Sequence, residues 1–206
     1  MAINLKKGQG INLTKAAPKL RIVRVGIGWD ITRVLGQCDL DVCAFVLKTV
    51  GDAPVCLSDG HFVFFNNLQS PEGFLTHTGD NRTGAGEGDD ETLKVDLSAA
   101  PAEAVEVSFI VTMHDALARR QHFGMVQNAY LKVYNDETGE VLAAYDLDEE
   151  FAGQTAVQIG SLFKAGDEWQ FQAVGAGYQR GLVDCVRGYG LEASVPPTAS
   201  LRGCGR

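Results

Sequence analysis

Residues 79–91 read GDNRTGAGEGDDE, and the alternating run TLKVDL follows at residues 92–97. The first stretch places five carboxylates against one arginine, with glycines at alternate positions between them. Crowded like charges destabilise one another unless a counter-charge lies between them. Alternation of apolar and polar residues at 92–97 predicts a strand, and residues 74–78 are expected to form the strand before it. We therefore expect an acidic loop that is held between two strands and needs a cation.

The ligand chemistry of this loop favours calcium. Its oxygens are hard ligands, and it contains no histidine or cysteine, which disfavours zinc and soft metals. Calcium accepts about 6–8 oxygens in a tolerant geometry, whereas magnesium requires a near-ideal octahedron. Gly84, Gly86 and Gly88 can adopt positive φ and turn backbone carbonyls inward. The EF-hand spacing is not met, so a solvated Gly-Asp turn is the alternative interpretation.

A second pair of acids begins another predicted strand. Residues 40–47 are apolar on both faces apart from Asp41, and Asp39 precedes them. Residues two apart in an extended strand face the same side, so the carboxylates of Asp39 and Asp41 are expected to converge. Asn66 and its neighbour follow the predicted strand at residues 61–65, where amides either cap a turn or bind a metal.

The same rule applies to the acids that precede residue 92. Extending the alternation backwards places Asp89 and Glu91 on one face and Asp90 on the other, provided that the strand begins early enough.

Length and composition indicate one domain. The chain has 206 residues, of which 45% are hydrophobic, enough for one well-buried core. We assign residues 1–192 to a single domain and expect residues 193–206, which contain Pro196 and Pro197, to be a disordered tail. The net charge of 18 − 26 = −8 argues against a nucleic-acid partner.

The chain carries no recognisable targeting segment. Residues 1–19 contain no apolar run of signal-peptide length, and no stretch approaches a membrane span. We therefore expect a cytoplasmic protein that is not itself inserted in a membrane. The five cysteines form an odd set without zinc spacing, which is typical of reduced thiols, and Cys43 is expected in the core.

The strand and helix patterns predict a mainly β fold. About nine short strands at regular spacing, with two or three short helices, indicate a β-sandwich of two antiparallel sheets. The helices are expected within residues 116–123 behind Asp115 as N-cap, along Ala156, Ile159, Leu162 and Phe163, and within residues 182–190.

Several motifs resemble those of the TerD family of tellurium-resistance and stress-response proteins. They are GIGWD at 26–30, DLD at 39–41, FFNN at 64–67, HTGDNRTG at 77–84, GDDE at 88–91, FG at 123–124, YDL at 145–147, EW at 168–169 and AVGAGY at 173–178. The resemblance covers nearly everything from residue 5 to residue 191.

The resemblance implies a β-sandwich that binds two calcium ions between the acidic loop and the strand of the Asp pair. The family's motif positions fall on Asp39, Asp41, Asp80, Asn81, Thr83, Asp89, Asp90 and Glu91. The residues of this chain add Asn66, Gly84 and Glu87 as further candidate ligands. The family usually has Glu at the position of Ala85 and Asp at that of Glu87, which affects the affinity of the second site.

The implied function is that of a non-enzymatic calcium-binding module in tellurite resistance and general stress response. Calcium orders the acidic loop, which then engages partner proteins. The expected partners are other tellurium-resistance and stress-response proteins, with a membrane-associated complex among the candidates.

Two other classes of function remain open. A metal-dependent phosphoester hydrolase would use the acidic cluster as a clamp, with His77, His114 and Asp115 as the candidates for acid–base work. Direct reaction of tellurium oxyanions with the thiols is the second, and it depends on how buried the cysteines are.

Overall fold

The computed structural model describes residues 2–31, 40–78, 88–147 and 151–192. Within these ranges the chain is mainly strand, and several of the strands alternate buried apolar residues with more exposed polar ones. The strands are β1 (Ile3–Leu5), β2 (Gly10–Asn12), β3 (Ile22–Ile31), β4 (Leu40–Val50), β5 (Ala53–Cys56), β6 (Phe62–Val63), β7 (Leu75–His77), β8 (Glu91–Asp96), β9 (Glu106–Met113), β10 (Val126–Asn135), β11 (Val141–Asp146), β12 (Ala156–Ala165) and β13 (Glu168–Tyr178).

Three short helices accompany the strands in the described part of the chain: α1 (Leu13–Ala16), α2 (Ala116–Arg119) and α3 (Leu182–Gly188). Asp115 occupies the N-cap position of α2 but has φ 50° and makes no capping hydrogen bond with its side chain. The predicted short helix and its N-cap residue are confirmed, although the helix ends at Arg119 and the Asp115 side chain does not cap it. No helix among the described residues is long and apolar enough to cross a membrane.

The strands form two sheets. Sheet A has the order β1-β11-β10-β3-β8-β7, and sheet B has the order β2-β13-β12-β9-β4-β5, with β6 also paired to β4. Every pairing is antiparallel except that of β1 with β11. The predicted β-sandwich of two antiparallel sheets is confirmed. The N-terminal strands β1 and β2, one on each sheet, escaped prediction because three residues are too few to show a period.

The core fills the space between the sheets. Along β3 the residues Val23, Val25, Ile27 and Trp29 are buried in it, whereas Arg24 and the two glycines between them face outward. A second, smaller apolar cluster lies on the outer face of sheet B, where α3 covers side chains of β4. Because β4 carries apolar residues on both faces, it contributes to both clusters.

The helix expected along residues 156–163 is wrong, since these residues form β12. The register shifts between Gln158 and Gly160, so that two steps along β12 oppose one step along β9. This β-bulge moves the next inward residue from position 161 to Leu162, three residues after Ile159. The bulge therefore gives buried residues of β12 the three-residue spacing that is typical of a helix.

Substituting Gly160 by Ala should destabilise the fold. A Cβ there would lie 2.4 Å from Cζ of the fully buried Phe171 and 3.0 Å from the carbonyl oxygen of Gln172. Overpacking of this kind costs about 1–3 kcal/mol in the free energy of unfolding, which urea denaturation would measure. The control is Gly188→Ala in α3, where a Cβ meets no heavy atom within 4 Å. An equal loss in both variants would contradict the packing explanation.

Candidate metal centre

The predicted ligands divide into two groups. Asp39, Asp80, Asn81, Thr83, Gly84 and Glu87 lie outside the described residues, and Asp41, Asn66, Asp89, Asp90 and Glu91 lie within them. Asp41 lies near the start of β4, and Asp89 and Asp90 directly precede Glu91, the first residue of β8. Their contacts show what each carboxylate already binds within the protein.

Asp89 lies on the outer face of sheet A, where protein donors hold both of its carboxylate oxygens. Nη1 of Arg24 is 3.0 Å from Oδ2, and the hydroxyl of Tyr134 donates to Oδ1 at 2.9 Å. The Asp89 side chain is only 6% exposed. A Cβ at Gly26 would lie 2.1 Å from Oδ2 of Asp89, so the carboxylate requires glycine beneath it.

This ion pair belongs to a larger network on the same face. The guanidinium of Arg24 stacks 3.8 Å from the ring centre of Tyr134, and its Nε lies 3.2 Å from Asp136. Tyr130 donates its hydroxyl to the carbonyl of Gly88 at 2.8 Å, and its ring occupies the space over Gly28. The network thus fastens the end of the acidic segment to sheet A.

Burial changes the acidity of both tyrosines. Burial and the charge of Asp89 raise the pKa of Tyr130 to about 12. Burial and the hydrogen bond to Asp89 also raise the pKa of Tyr134. Both phenols therefore remain protonated donors throughout the physiological pH range.

Asp90 lies at the junction of β3 and β8. Its backbone N–H donates to the carbonyl of Ile27 at 2.7 Å, and its Oδ2 accepts the N–H of Trp29 at 2.9 Å. Burial raises the pKa of this half-buried carboxyl group, and the nearby charges of Asp30 and Asp89 raise it further. A bound cation would offset this repulsion.

Glu91 is directed between the two sheets and is 2% exposed. Its Oε2 accepts the N–H of Val42 at 2.6 Å and lies 3.6 Å from Nε2 of His77. Burial is the main cause of the raised pKa of this carboxyl group, and the charge of Asp41 adds to it. Glu91 therefore joins β8 of sheet A to β4 of sheet B.

Asp89 and Glu91 were expected on the same face of the strand, and the structure places them on different faces. Because β8 begins only at Glu91, the condition for simple alternation is not met. Asp89 turns to the outer face of sheet A, whereas Glu91 enters the interior.

Asp41 and Asn66 lie near the outer face of sheet B. Oδ2 of Asp41 is 3.9 Å from Nδ1 of His114, whose side chain is 46% exposed. Asn66 is an exposed turn residue, and the amide of its neighbour Asn67 donates to the carbonyls of Gly60 and Phe62. The turn role predicted for these amides is therefore observed for Asn67.

The described carboxylates are oxygen ligands of the type that a hard cation prefers, but protein donors already bind several of their oxygens. Asp41 and Asp90 present carboxylates at two strand ends, and Oδ2 of Asp90 accepts the N–H of Trp29. Protein N–H and O–H groups also hold Asp89 and Glu91. Within the described ranges no group of three or more His, Cys, Asp or Glu side chains is arranged to hold a metal. The other predicted ligands, Asp39 and those within residues 80–87, lie outside the described ranges.

One hydrogen-bonded set was not foreseen from the sequence. Oγ of Ser58 lies 2.7 Å from Nδ1 of His61, and Nε2 of His61 lies 2.8 Å from Oε1 of Glu72. His61 is 7% exposed, so the set ties two surface turns together through a buried ring. The Ser–His spacing of three residues was visible, but Glu72 comes from a separate turn.

The described cysteines belong to the core. Cys43, Cys56 and Cys185 are free thiols and all three are buried. Burial raises the pKa of Cys43, that of Cys56 to about 11 and that of Cys185 to about 12. The predicted core position of Cys43 is confirmed, and thiolate chemistry is disfavoured at all three.

Two substitutions at Glu91 separate its structural role from ligation. Glu91→Ala leaves the buried N–H of Val42 without its acceptor, and we expect a loss of about 2–4 kcal/mol in the free energy of unfolding. Glu91→Gln keeps an acceptor and should stay within about 1 kcal/mol of the parent. Urea denaturation in the presence of a chelator measures both, and equal losses would argue against the hydrogen bond to Val42.

The tyrosine network predicts loss of stability at alkaline pH. The folded state holds phenolic protons that the unfolded chain releases above its tyrosine pKa of about 10. Stability is therefore complete below about pH 10 and falls as the pH rises through about 12, the pKa of Tyr130. Asp89→Asn removes a charge that opposes ionisation, so tyrosinate absorbance should appear at lower pH. Asp52→Asn, in an exposed turn, is the control, and coincident titration curves for the two variants would contradict the assignment.

The chain is similar in sequence to proteins of one known family. The TerD domain family matches residues 1–189. Tellurium resistance protein TerD of Serratia marcescens is 47% identical over 195 residues, covering 94% of this chain and 100% of that protein. General stress protein 16U of Bacillus subtilis (strain 168) is 47% identical over 194 residues, covering 93% and 99%.

Solved structures share the fold. The structure of a homologue of telluride resistance protein (TerD) from Streptomyces coelicolor A3(2) has a TM-score of 0.61 at 23% identity, covering 80% of this chain and 94% of that one. A second solved structure, of a protein of unknown function, has a TM-score of 0.62 at 28% identity and covers 78% and 91%. On the family match and these sequence identities, the chain belongs to the TerD domain family.

Proposed function

We propose that this protein is a calcium-binding, non-enzymatic member of the tellurite-resistance and general stress response. The proposal draws on the names of its relatives, a tellurium resistance protein and a general stress protein. The observation that carries the calcium site is the position of Asp90. The N–H of Trp29 fixes its carboxylate beside Asp30 and Asp89, at the end of the acidic segment.

The sequence of the acidic segment supplies the reason for an ion. Residues 79–91 contain five carboxylates and one base, Arg82, so a cation would offset the repulsion among them. Calcium tolerates an irregular set of carboxylate, amide and carbonyl oxygens, which is the set that this segment offers. The ligands of two ions are proposed to come from Asp39, Asp41, Asp80, Asn81, Thr83, Gly84, Glu87 and Asp90.

The engaged carboxylates take a supporting role in this proposal. Asp89 anchors the segment to sheet A through Arg24 and Tyr134. Glu91 anchors it to β4 through Val42, the residue after Asp41. Movement of the segment on ion binding would therefore be transmitted to the strand of the Asp pair.

The biological role follows from ordering of a charged surface. An ion that neutralises and orders the acidic segment creates a binding surface for partner proteins in the cytoplasm. Other stress-response and tellurium-resistance proteins, alone or in a membrane-associated complex, are the proposed partners.

Calorimetric titration of the chelator-stripped protein with calcium tests the site. We expect saturable binding of two equivalents with magnesium as a weak competitor, and a rise in the free energy of unfolding of about 2.7 kcal/mol at a calcium concentration one hundred times Kd. The double substitution Asp80→Asn with Asp90→Asn should remove most of that rise.

The matched control carries the same change in charge elsewhere. Asp52→Asn with Asp167→Asn alters two exposed turn residues and should leave calcium binding unchanged. If calcium raises the free energy of unfolding of the Asp80/Asp90 variant as much as that of the parent, the site assignment is wrong. Hydrolysis of a simple phosphoester that disappears in the same variant would instead favour the hydrolase, in which the exposed His114 between Asp41 and Asp115 is the available acid–base group.

A further inference from the structure

A groove of about 710 Å³ opens on the outer face of sheet B, between α2, α3 and the turn after β6. We call it the α3 groove. Its floor and walls include six large apolar side chains, those of Phe64, Phe65, Met113, Leu117, Leu182 and Val183. Leu117 is 70% exposed and Phe65 is 38% exposed, although both border the groove. Exposure of this kind is typical of a surface that binds another apolar group.

A row of aromatic rings leads into the α3 groove from the far end of α3. Tyr189 packs on Phe45 at 5.0 Å between ring centres, and Phe45 stacks on Phe62 at 4.3 Å. Phe62 stacks on Phe64 at 4.4 Å, and Phe64 meets Phe65 edge-on at 5.2 Å. The row runs from a buried ring beside the C-terminal end of α3 to an exposed ring in the groove.

The rim of the α3 groove next to α2 is acidic and locally strained. Asp41 and Asp115 both line it, with His114 between them, and the one arginine among the described lining residues, Arg180, is paired with Asp184 at 2.8 Å. Asp115 has φ 50° and Arg120 has φ 54°, so left-handed residues bound α2 on both sides. Such conformations cost energy for residues other than glycine and cluster at binding sites. Here they hold the helix that presents Leu117.

The chain after α3 starts from the same apolar face. Gly190, with φ 76°, ends the helix, and the N–H of Leu191 donates to the carbonyl of Val186 at 3.0 Å. This is the hydrogen bond of a Schellman turn. Leu191 packs against the outer cluster of sheet B. The following residues, 193–206, read ASVPPTASLRGCGR and lie beyond the family match.

We propose that residues 193–206 fold back beside α3 and dock in the α3 groove, at the exposed end of the aromatic row. Pro196 and Pro197 pack on Phe64 and Phe65, because proline-rich segments bind aromatic grooves with little loss of entropy. Arg202 then lies at the acidic rim.

The lengths allow this path. The seven residues of α3 span about 10 Å, and four residues in a polyproline conformation from Glu192 to Pro196 span about 12 Å. The short connection gives the docked segment a high effective concentration.

Maleimide labelling of Ala118→Cys in the full chain tests the proposal. Ala118 lines the α3 groove and is exposed. A cysteine there therefore measures whether the groove is shielded from the reagent, and the substitution removes none of the large apolar side chains of the groove. Peptide mapping measures the rate at position 118. We expect labelling to be at least about fivefold slower in the full chain than in a chain that ends at Glu192. Adding the peptide of residues 193–206 to the shortened chain should restore the slow rate.

Two controls keep the proposal falsifiable. Ala102→Cys, exposed in a turn at the other end of β9, should label equally in both chains. The full chain carrying Pro196→Gly, Pro197→Gly and Leu201→Gly should label at position 118 as fast as the shortened chain. Equal rates with and without the segment would overturn the proposal. Slow labelling that depends on protein concentration would also overturn it, in favour of a second copy of the chain in the groove.

Discussion

A buried carboxylate determines how the two sheets meet. Glu91 is the first residue of β8 in sheet A, yet its Oε2 accepts the N–H of Val42 in β4 of sheet B. Val42 lies beyond the residues of β4 that pair with β5 and β6, and its N–H is satisfied by this carboxylate. An unsatisfied buried N–H is costly, which makes the position of Glu91 a condition of the packing. The acidic segment therefore ends at a residue that both sheets need.

Glycines in β3 complete the attachment on the opposite side of sheet A. A side chain at Gly26 would displace the carboxylate of Asp89, and one at Gly28 would displace the ring of Tyr130. Arg24 and Tyr134 then hold Asp89, which leaves the three consecutive acids facing three environments. Asp89 lies on the outer face, Asp90 at the strand junction and Glu91 in the interior. The repulsion that would oppose an all-outward arrangement is relieved by separation as well as by countercharge.

Sheet B uses its outer face differently. Both faces of β4 are apolar, so one contributes to the main core and the other needs separate cover. α3 covers the part near Cys43 and Phe45, whereas the aromatic row continues beyond the helix to the exposed Phe65. The burial that makes this face a second core also removes thiolate character from its cysteines. The apolar cluster under α3 and the network around Asp89 thus lie on the outer faces of different sheets.

The sequence by itself determined the class of fold and the chemistry of the acidic segment. Period-two alternation in residues 23–29 and 92–97 requires a half-buried sheet, and crowded carboxylates require a counter-charge wherever they lie. Sequence could not show which acids were already engaged, because Arg24, Tyr134 and Val42 reach them only after the sheets assemble. It also misassigned β12, where a bulge changed the spacing of the buried residues. The tertiary structure decided these points, since hydrogen-bond partners and strand register depend on contacts between residues far apart in the chain.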